Sequence, residues 1–417
     1  MRRRFTLIRA GVFSLSVLAG CERNTGPAPT ELPPAWQVAS IAAGAYSTCA
    51  IGTDTLTYCW GYGNVGRPAG EWCSGLRGCG DSIPKPVVGA MRFVSLAAGG
   101  RLACGLVTSG TAYCWGGVGS IDAGAWSSAV PVPYPGAPPF TAISSGRMHT
   151  CGLDGQRHVW CWGTEMFGDL GAGDTLEFSV EPVLAAGGAD FSAVAAGGMH
   201  VCAANEAGQL LCWGNNTSGQ VGSGLEAPRH CGIFSFGRCA LTPQGVRGGW
   251  VYTAVSAGGD HTCGVTAGTL VCWGSNRYGQ LGTATNVLDS CGDISPWPCA
   301  PYPGHVGFPT ADADDPIVAV AAGEAHTCAL TTTGSAYCWG GNDYGQLGTG
   351  AEGDRAIPTR VAADGIAFRA LSTGAYHTCG LATNGDAYCW GSNRYSQLGD
   401  GTTTDRWQPV RVLHPQP

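Results

Sequence analysis

Apolar and polar positions change over along this chain in short runs, and one stretch shows the unit in full. Ala321-Ala322-Gly323-Glu324-Ala325-His326-Thr327-Cys328-Ala329-Leu330 is followed by the polar Thr331 to Gly334, by Ser335-Ala336-Tyr337-Cys338-Trp339-Gly340, and by Asn342-Asp343-Tyr344-Gly345-Gln346-Leu347-Gly348. The pattern predicts a strand, a glycine-containing hairpin turn, a second strand and a glycine-rich connection. Centring the turn on Thr333 sets Cys328 opposite Cys338. Directly opposed Cβ atoms lie about 4.5–5 Å apart, near the approximately 3.8 Å that a disulfide needs, so a cross-strand bond is allowed. In a copy one residue shorter, a two-residue Ala267-Gly268 turn still opposes Cys263 and Cys272.

The unit recurs seven times. Cys-Trp-Gly begins at Cys59, Cys114, Cys161, Cys212, Cys272, Cys338 and Cys389, and nine or ten residues before each stands Cys49, Cys104, Cys151, Cys202, Cys263, Cys328 or Cys379. Composition points the same way. Charged residues are 12% of the chain, about half the usual roughly 25%. A helical protein needs Lys, Glu and Arg on its wet faces, and Lys85 is the single lysine here. With 44% hydrophobic residues and 14 Trp, disorder is excluded as well. The 68 Gly and 25 Pro fit an all-β chain of short strands and tight turns.

The first twenty residues have the form of an export signal, with Arg2, Arg3, Arg4 and Arg9 before the short apolar run Gly11 to Ala19. Leu18-Ala19-Gly20-Cys21 resembles the bacterial lipobox, which implies a diacylated Cys21. Arg2-Arg3-Arg4-Phe5 also looks like a twin-arginine signal, so the export route stays open. Residues 21–35 carry four prolines and no apolar periodicity, and are expected to form an extended tether ahead of a domain over 36–417. Removing the signal takes away four of 22 basic residues and none of the 29 acidic ones, leaving a formal charge of −11. That balance argues against nucleic acid as a partner. No later segment is apolar for long enough to cross a bilayer, so membrane contact is expected only through the lipid, and the expected location is the bacterial cell envelope or surface.

The 21 cysteines are then all assigned: Cys21 to lipid, fourteen to the seven hairpins, and six to Cys73 with Cys79, Cys231 with Cys239, and Cys291 with Cys299. Ten disulfides imply an oxidising compartment. Zinc is disfavoured because these spacings provide no neighbouring second pair.

Seven small sheets bury both faces by packing in a ring. Gly-x-x-His-Thr-Cys-Ala-Leu followed by Tyr-Cys-Trp-Gly-x-Asn-x-x-Gly-Gln-Leu-Gly resembles the repeat of the regulator of chromosome condensation family. The resemblance is best at Asn276 to Gly282, Asn342 to Gly348 and Asn393 to Gly399, and degraded at Gly63 to Pro68 and Gly117 to Ser120. It implies a seven-bladed β-propeller of four-stranded antiparallel blades; the cysteine pairs depart from the intracellular pattern and fit export. Strands such as Pro86-Val87-Val88, Pro182-Val183-Leu184 and Pro358-Thr359-Arg360-Val361 read as preceding each hairpin. The last one, Pro409-Val410-Arg411-Val412, is therefore expected to join the first blade and close the ring.

His149, His200, His261, His326 and His377 share one repeat position and could suggest metal ligands, but read better as blade-packing residues. The Cys-Trp-Gly tryptophans read as inter-blade core, and Asp54, Asp260 and Glu324 as solvent-facing carboxylates. No G-x-S-x-G, H-E-x-x-H, P-loop or EF-hand pattern is present, and no cofactor or catalytic set is expected. Three disulfide-closed insertions at one point of the repeat place Trp72, Phe234, Phe236 and Trp297 on one face as candidate anchors. The expected function is a monomeric, surface-anchored, non-enzymatic propeller binding a protein or glycan through that face. The alternatives are nucleotide-exchange activity, which the resemblance implies and export disfavours, inhibition of a secreted enzyme, and an envelope lyase or hydrolase.

Overall fold

In the computed structural model the described residues are 36–415, apart from 64, 67–80, 101, 118–125, 174–177, 189, 226–236, 283–286, 288–289, 292–295 and 310–314. They form seven sheets of four antiparallel strands in sequence order, the blades of a propeller. Blade 1 comprises Val38–Ala43, Ser47–Gly52, Thr57–Gly61 and Asp81–Pro86; blade 7 comprises Phe368–Thr373, His377–Ala382, Ala387–Gly391 and Arg406–Arg411. The first strands line a central channel and touch one another in turn around the ring, that of blade 7 meeting that of blade 1.

The hairpins have the register set by their turns: Cys328 pairs with Cys338, and in the shorter copy Cys263 pairs with Cys272. The latter turn places Ala267 at φ 49° and Gly268 at φ 76°, the two positive angles of a type I′ turn. Disulfides join Cys49–Cys59, Cys104–Cys114, Cys151–Cys161, Cys202–Cys212, Cys263–Cys272, Cys328–Cys338 and Cys379–Cys389, each with Cα atoms 4.1 Å apart. Both faces of these strands lie under neighbouring blades, so Ser47–Gly52 and His326–Thr331 are buried along their whole length.

The proline-bearing strand belongs to the hairpin before it. Cys389 pairs with Val410 and Tyr388 with Arg411, so the C-terminal strand completes blade 7 and does not join blade 1 as the sequence order had led us to expect. The short connection from Gly391 favours the nearer partner, and Arg411 adds an ion pair to Asp386 at 2.9 Å. Every outer strand carries a proline at an equivalent position, including Pro84, Pro182, Pro358 and Pro409, which removes a backbone donor from an exposed sheet edge.

Closure needs no shared strand because the seam between blades 7 and 1 repeats the other seams. The N–H of Val38 donates to the carbonyl of Gly385 in the blade 7 turn (2.9 Å), as that of Phe368 donates to Gly334 of blade 6. Trp60 of blade 1 is fully buried, and its indole Nε1 donates to the Gln397 carbonyl at 2.9 Å; Trp390 reaches the Gln346 carbonyl in the same way at 3.0 Å. The seven Cys-Trp-Gly tryptophans thus form inter-blade core; Trp60, Trp213, Trp273, Trp339 and Trp390 each donate to a backbone carbonyl of the neighbouring blade, while the Trp162 indole finds no acceptor among the described residues.

Candidate functional site

His377 pairs with Gly391 and Ser47 with Gly61, so the turn before the hairpin and the connection after it leave each blade at the same end. That end forms one face of the ring. On it, the Asn-x-x-Gly-Gln-Leu-Gly connection is held from inside: the Asn342 and Asn393 Oδ1 atoms accept from Leu347 N–H and Leu398 N–H (3.1 Å each), and the Gln346 and Gln397 Oε1 atoms accept from Tyr344 N–H and Tyr395 N–H (2.9 Å each). The motif residues are therefore the frame, and the residue between them is what they present.

Presented there is an arc of tyrosines across blades 6, 7 and 1. Tyr344 and Tyr376 meet edge to face at 5.4 Å, Tyr395 and Tyr46 at 5.1 Å, and Tyr62 lies 5.4 Å from Tyr395. Tyr46, Tyr62 and Tyr344 are 41%, 45% and 40% exposed, large apolar area for side chains whose backbones are so fixed. Arg394 lies over the Tyr395 ring. In blade 5, Arg277 lies over both Tyr278 and Trp297, 4.1 Å from the Trp297 ring centre.

Trp297 is the one sequence-derived anchor among the described residues; it is 46% exposed on this face, in the loop joined by Cys291–Cys299. Trp72, Phe234 and Phe236 lie outside the described residues, as do Cys21, Cys73, Cys79 and Cys231. Cys239 is buried in a disulfide. The tyrosine arc was not singled out from the sequence. Part of its signal, Tyr344 and Tyr395, was present in the Asn-x-Tyr tripeptides, masked by glycine and glutamine positions that look more diagnostic and turn out to be structural.

The repeat-position histidines are buried between blades. The Nε2 atoms of His200, His261, His326 and His377 lie 2.8–2.9 Å from the hydroxyls of Thr262, Thr327, Thr378 and Thr48 in the next blade. Each of those hydroxyls donates its proton to a glutamine carbonyl, from Gln220, Gln280, Gln346 and Gln397 respectively, so the histidine must be the donor and is neutral with its proton on Nε2. Burial lowers these histidines from 6.5 to about 3 for His200, His261 and His377 and about 4 for His326. Among the described residues, no three His, Cys, Asp or Glu side chains are grouped to hold a metal.

The face opens at its centre into the channel, a cavity of about 690 Å³ walled by the small residues of the first strands. Two charged groups line its mouth among the described residues: Arg147 from blade 3 donates to Glu324 of blade 6 at 3.0 Å. Glu324 is thus partly enclosed and paired. Asp260 of blade 5, next to the lining residue Gly259, is exposed just outside the mouth and accepts from the Gln220 amide at 3.2 Å.

A family model described as the RCC1-like domain matches residues 69–416. The chain belongs to that family. It is 32% identical over 256 residues to the ultraviolet-B receptor UVR8 of Arabidopsis thaliana, covering 60% of this chain and 52% of the receptor. It is 30% identical over 222 residues to the human E3 ubiquitin-protein ligase HERC2, covering 53% of this chain and 4% of the ligase. The matched region is therefore about half of the receptor and a small part of the ligase. The fold is shared with Prp20p of Saccharomyces cerevisiae, a protein with binding properties toward Gsp1p and histones (TM-score 0.69, 21% identity, 91% of this chain and 88% of that one). It is shared also with human WBSCR16 (TM-score 0.69, 21% identity, 86% and 94%). An RCC1-like propeller of this kind supports a binding or regulatory role.

Proposed function

We propose that this RCC1-like propeller is a lipid-tethered, non-enzymatic binding protein of the cell envelope that docks a protein partner across the tyrosine face. The observation that carries the reading is the arc itself: Tyr344 meets Tyr376, and Tyr395 meets both Tyr46 and Tyr62, with the Tyr344 and Tyr395 backbones held by the motif and Tyr46, Tyr62 and Tyr344 more than a third exposed. Tyrosines so placed supply contact area at little further entropic cost, a property of interface anchors. Gln37 and Val412 lie at the opposite end of the blades, where Gln37 reaches the Asn384 carbonyl and Val412 the Ala387 carbonyl. Seven buried hairpin disulfides support an oxidising location, and the Leu18-Ala19-Gly20-Cys21 pattern supports the lipid.

Photo-crosslinking residues introduced at Tyr344 and Tyr395, with Asn384 on the opposite face as control, test the face in the native envelope. Protein adducts from positions 344 and 395 and none from 384 are expected. Adducts from 384 alone would overturn the reading, and glycan in place of protein adducts would change the ligand class. Cys21→Ser is expected to release the chain from the membrane fraction, and its retention there would remove the tether.

A further inference from the structure

The seven turns that form the lip of the channel carry, at one equivalent position, Ala45, Gly100, Arg147, Gly198, Gly259, Glu324 and Ala375. Five are Gly or Ala. The two exceptions have opposite charge and stand three blades apart, the widest separation that a seven-membered ring allows. Their side chains meet at 3.0 Å, so a guanidinium–carboxylate bar spans the mouth of the cavity. The bar is partly wet, with the Arg147 side chain 54% and the Glu324 side chain 27% exposed. An ion pair in that condition contributes little to folding, and exchanging one guanidinium for another costs little.

Asp260, one residue further along its own turn, follows Gly259, which packs on the bar: a Cβ added to Gly259 would lie 3.1 Å from the Glu324 carboxyl carbon. Two carboxylates thus stand near one guanidinium at a concave mouth whose protein walls concentrate their field. Tyr376 and Tyr46 line the same cavity as Arg147 and Glu324, so the aromatic arc reaches the edge of the same mouth. The cations of blades 5 and 7 are already engaged further out, Arg277 over Trp297 and Arg394 over Tyr395. Among the described residues, the centre of the face therefore has carboxylate in excess, aromatic rings beside it, and open volume beneath.

Resting on the docking face proposed above, we infer that the partner presents an arginine or lysine at its centre, which enters the channel mouth and takes the carboxylates of Glu324 and Asp260 in place of Arg147. The tyrosines then flank the entering cation, a setting in which cation–π attraction adds to the ionic contact. Arg147 acts as a resident competitor, which holds the mouth together until the partner's cation displaces it. An acidic partner would need the reverse: it would use Arg147 as its receptor and gain nothing from Asp260.

The probes are capped pentapeptides with a central arginine or a central glutamate between glycines, titrated into the full chain by calorimetry and NMR. The arginine peptide is expected to bind, about tenfold more weakly to Glu324→Gln, more weakly also to Asp260→Asn, and several-fold more tightly to Arg147→Ala. Unchanged thermal unfolding shows that the near-isosteric variants remain folded. Weaker arginine-peptide binding to Arg147→Ala, or binding of the glutamate peptide that depends on Arg147, would overturn the inference. Crosslinking from position 344 or 395 that persists with Glu324→Gln at full yield would leave the docking face standing and remove the cation site; loss of crosslinking in the wild type removes the face itself.

Discussion

His377 of the last blade donates from Nε2 to the hydroxyl of Thr48 in the first, 2.9 Å away across 329 positions of sequence. The same hydroxyl donates onward to the Gln397 carbonyl, where the Trp60 indole also ends. Three side chains and one backbone carbonyl thus make a buried junction, and it closes the ring as the same junction joins blades 4 to 5, 5 to 6 and 6 to 7.

Thr48→Val keeps the shape and removes the hydroxyl, which leaves a buried imidazole donor unpaired. A loss of about 1–3 kcal/mol is expected from urea unfolding. The reverse experiment is available at the seam between blades 3 and 4, where fully buried Val201 stands in the threonine position and His149 lacks the hydroxyl. Val201→Thr is expected to stabilise by about 1 kcal/mol, with the Asp169 carbonyl as onward acceptor; a destabilised variant would show that the junction is not portable.

Acid should loosen the ring before it reaches ordinary carboxylates. Five buried histidines protonate near 6.5 when unfolded but only at about 3–4 in the fold. Because the folded state holds the neutral form, their stability contribution is complete above 6.5 and is lost as pH falls toward 4, at up to about 1.4 kcal/mol per pH unit for each histidine. Buried Asp169, whose carboxyl is raised by burial, acts in the opposite sense. The urea midpoint should drop steeply between pH 6.5 and 4; a flat profile there would contradict the histidine assignment.

Gly399 has φ +67°, and an added Cβ would lie 2.7 Å from Trp60 Nε1. Gly365 has φ +74° with nothing within 4 Å. Gly365→Ala should therefore cost only the left-handed backbone penalty of about 1–2 kcal/mol. Gly399→Ala adds displacement of a buried indole and should cost clearly more, with a red-shifted tryptophan emission as its signature. Equal losses would mean that the indole moves freely.

Cys328 and Cys338 close a hairpin ten residues apart, both buried. Replacing the pair with alanines is expected to cost about 2–3 kcal/mol in the chain-entropy account. In the native state these sulfurs should resist reductant until denaturant opens the blade, which alkylation and mass mapping will read; prompt alkylation of the native chain would place them at the surface.

Much of the hairpin level was legible in the residues. Thr333 and the Ala267-Gly268 pair fix which cysteines face each other, because a tight turn dictates the register of the strands it joins. The tryptophan core, the buried histidines and the face carrying Trp297 follow from the same repetition.

The sequence by itself determined the seven units, their internal register and their cysteine pairs, since these depend on residues within about ten positions of each other. Only the tertiary structure decided that Val410 pairs with Cys389 and leaves the first blade alone, because a strand after the last hairpin can in principle either complete that hairpin's sheet or close the ring on the first blade. It alone brought Tyr46 to Tyr395 and Arg147 to Glu324. Those contacts join different blades, and the distance between blades is set by how side chains pack at the seams around the ring, which no local pattern encodes.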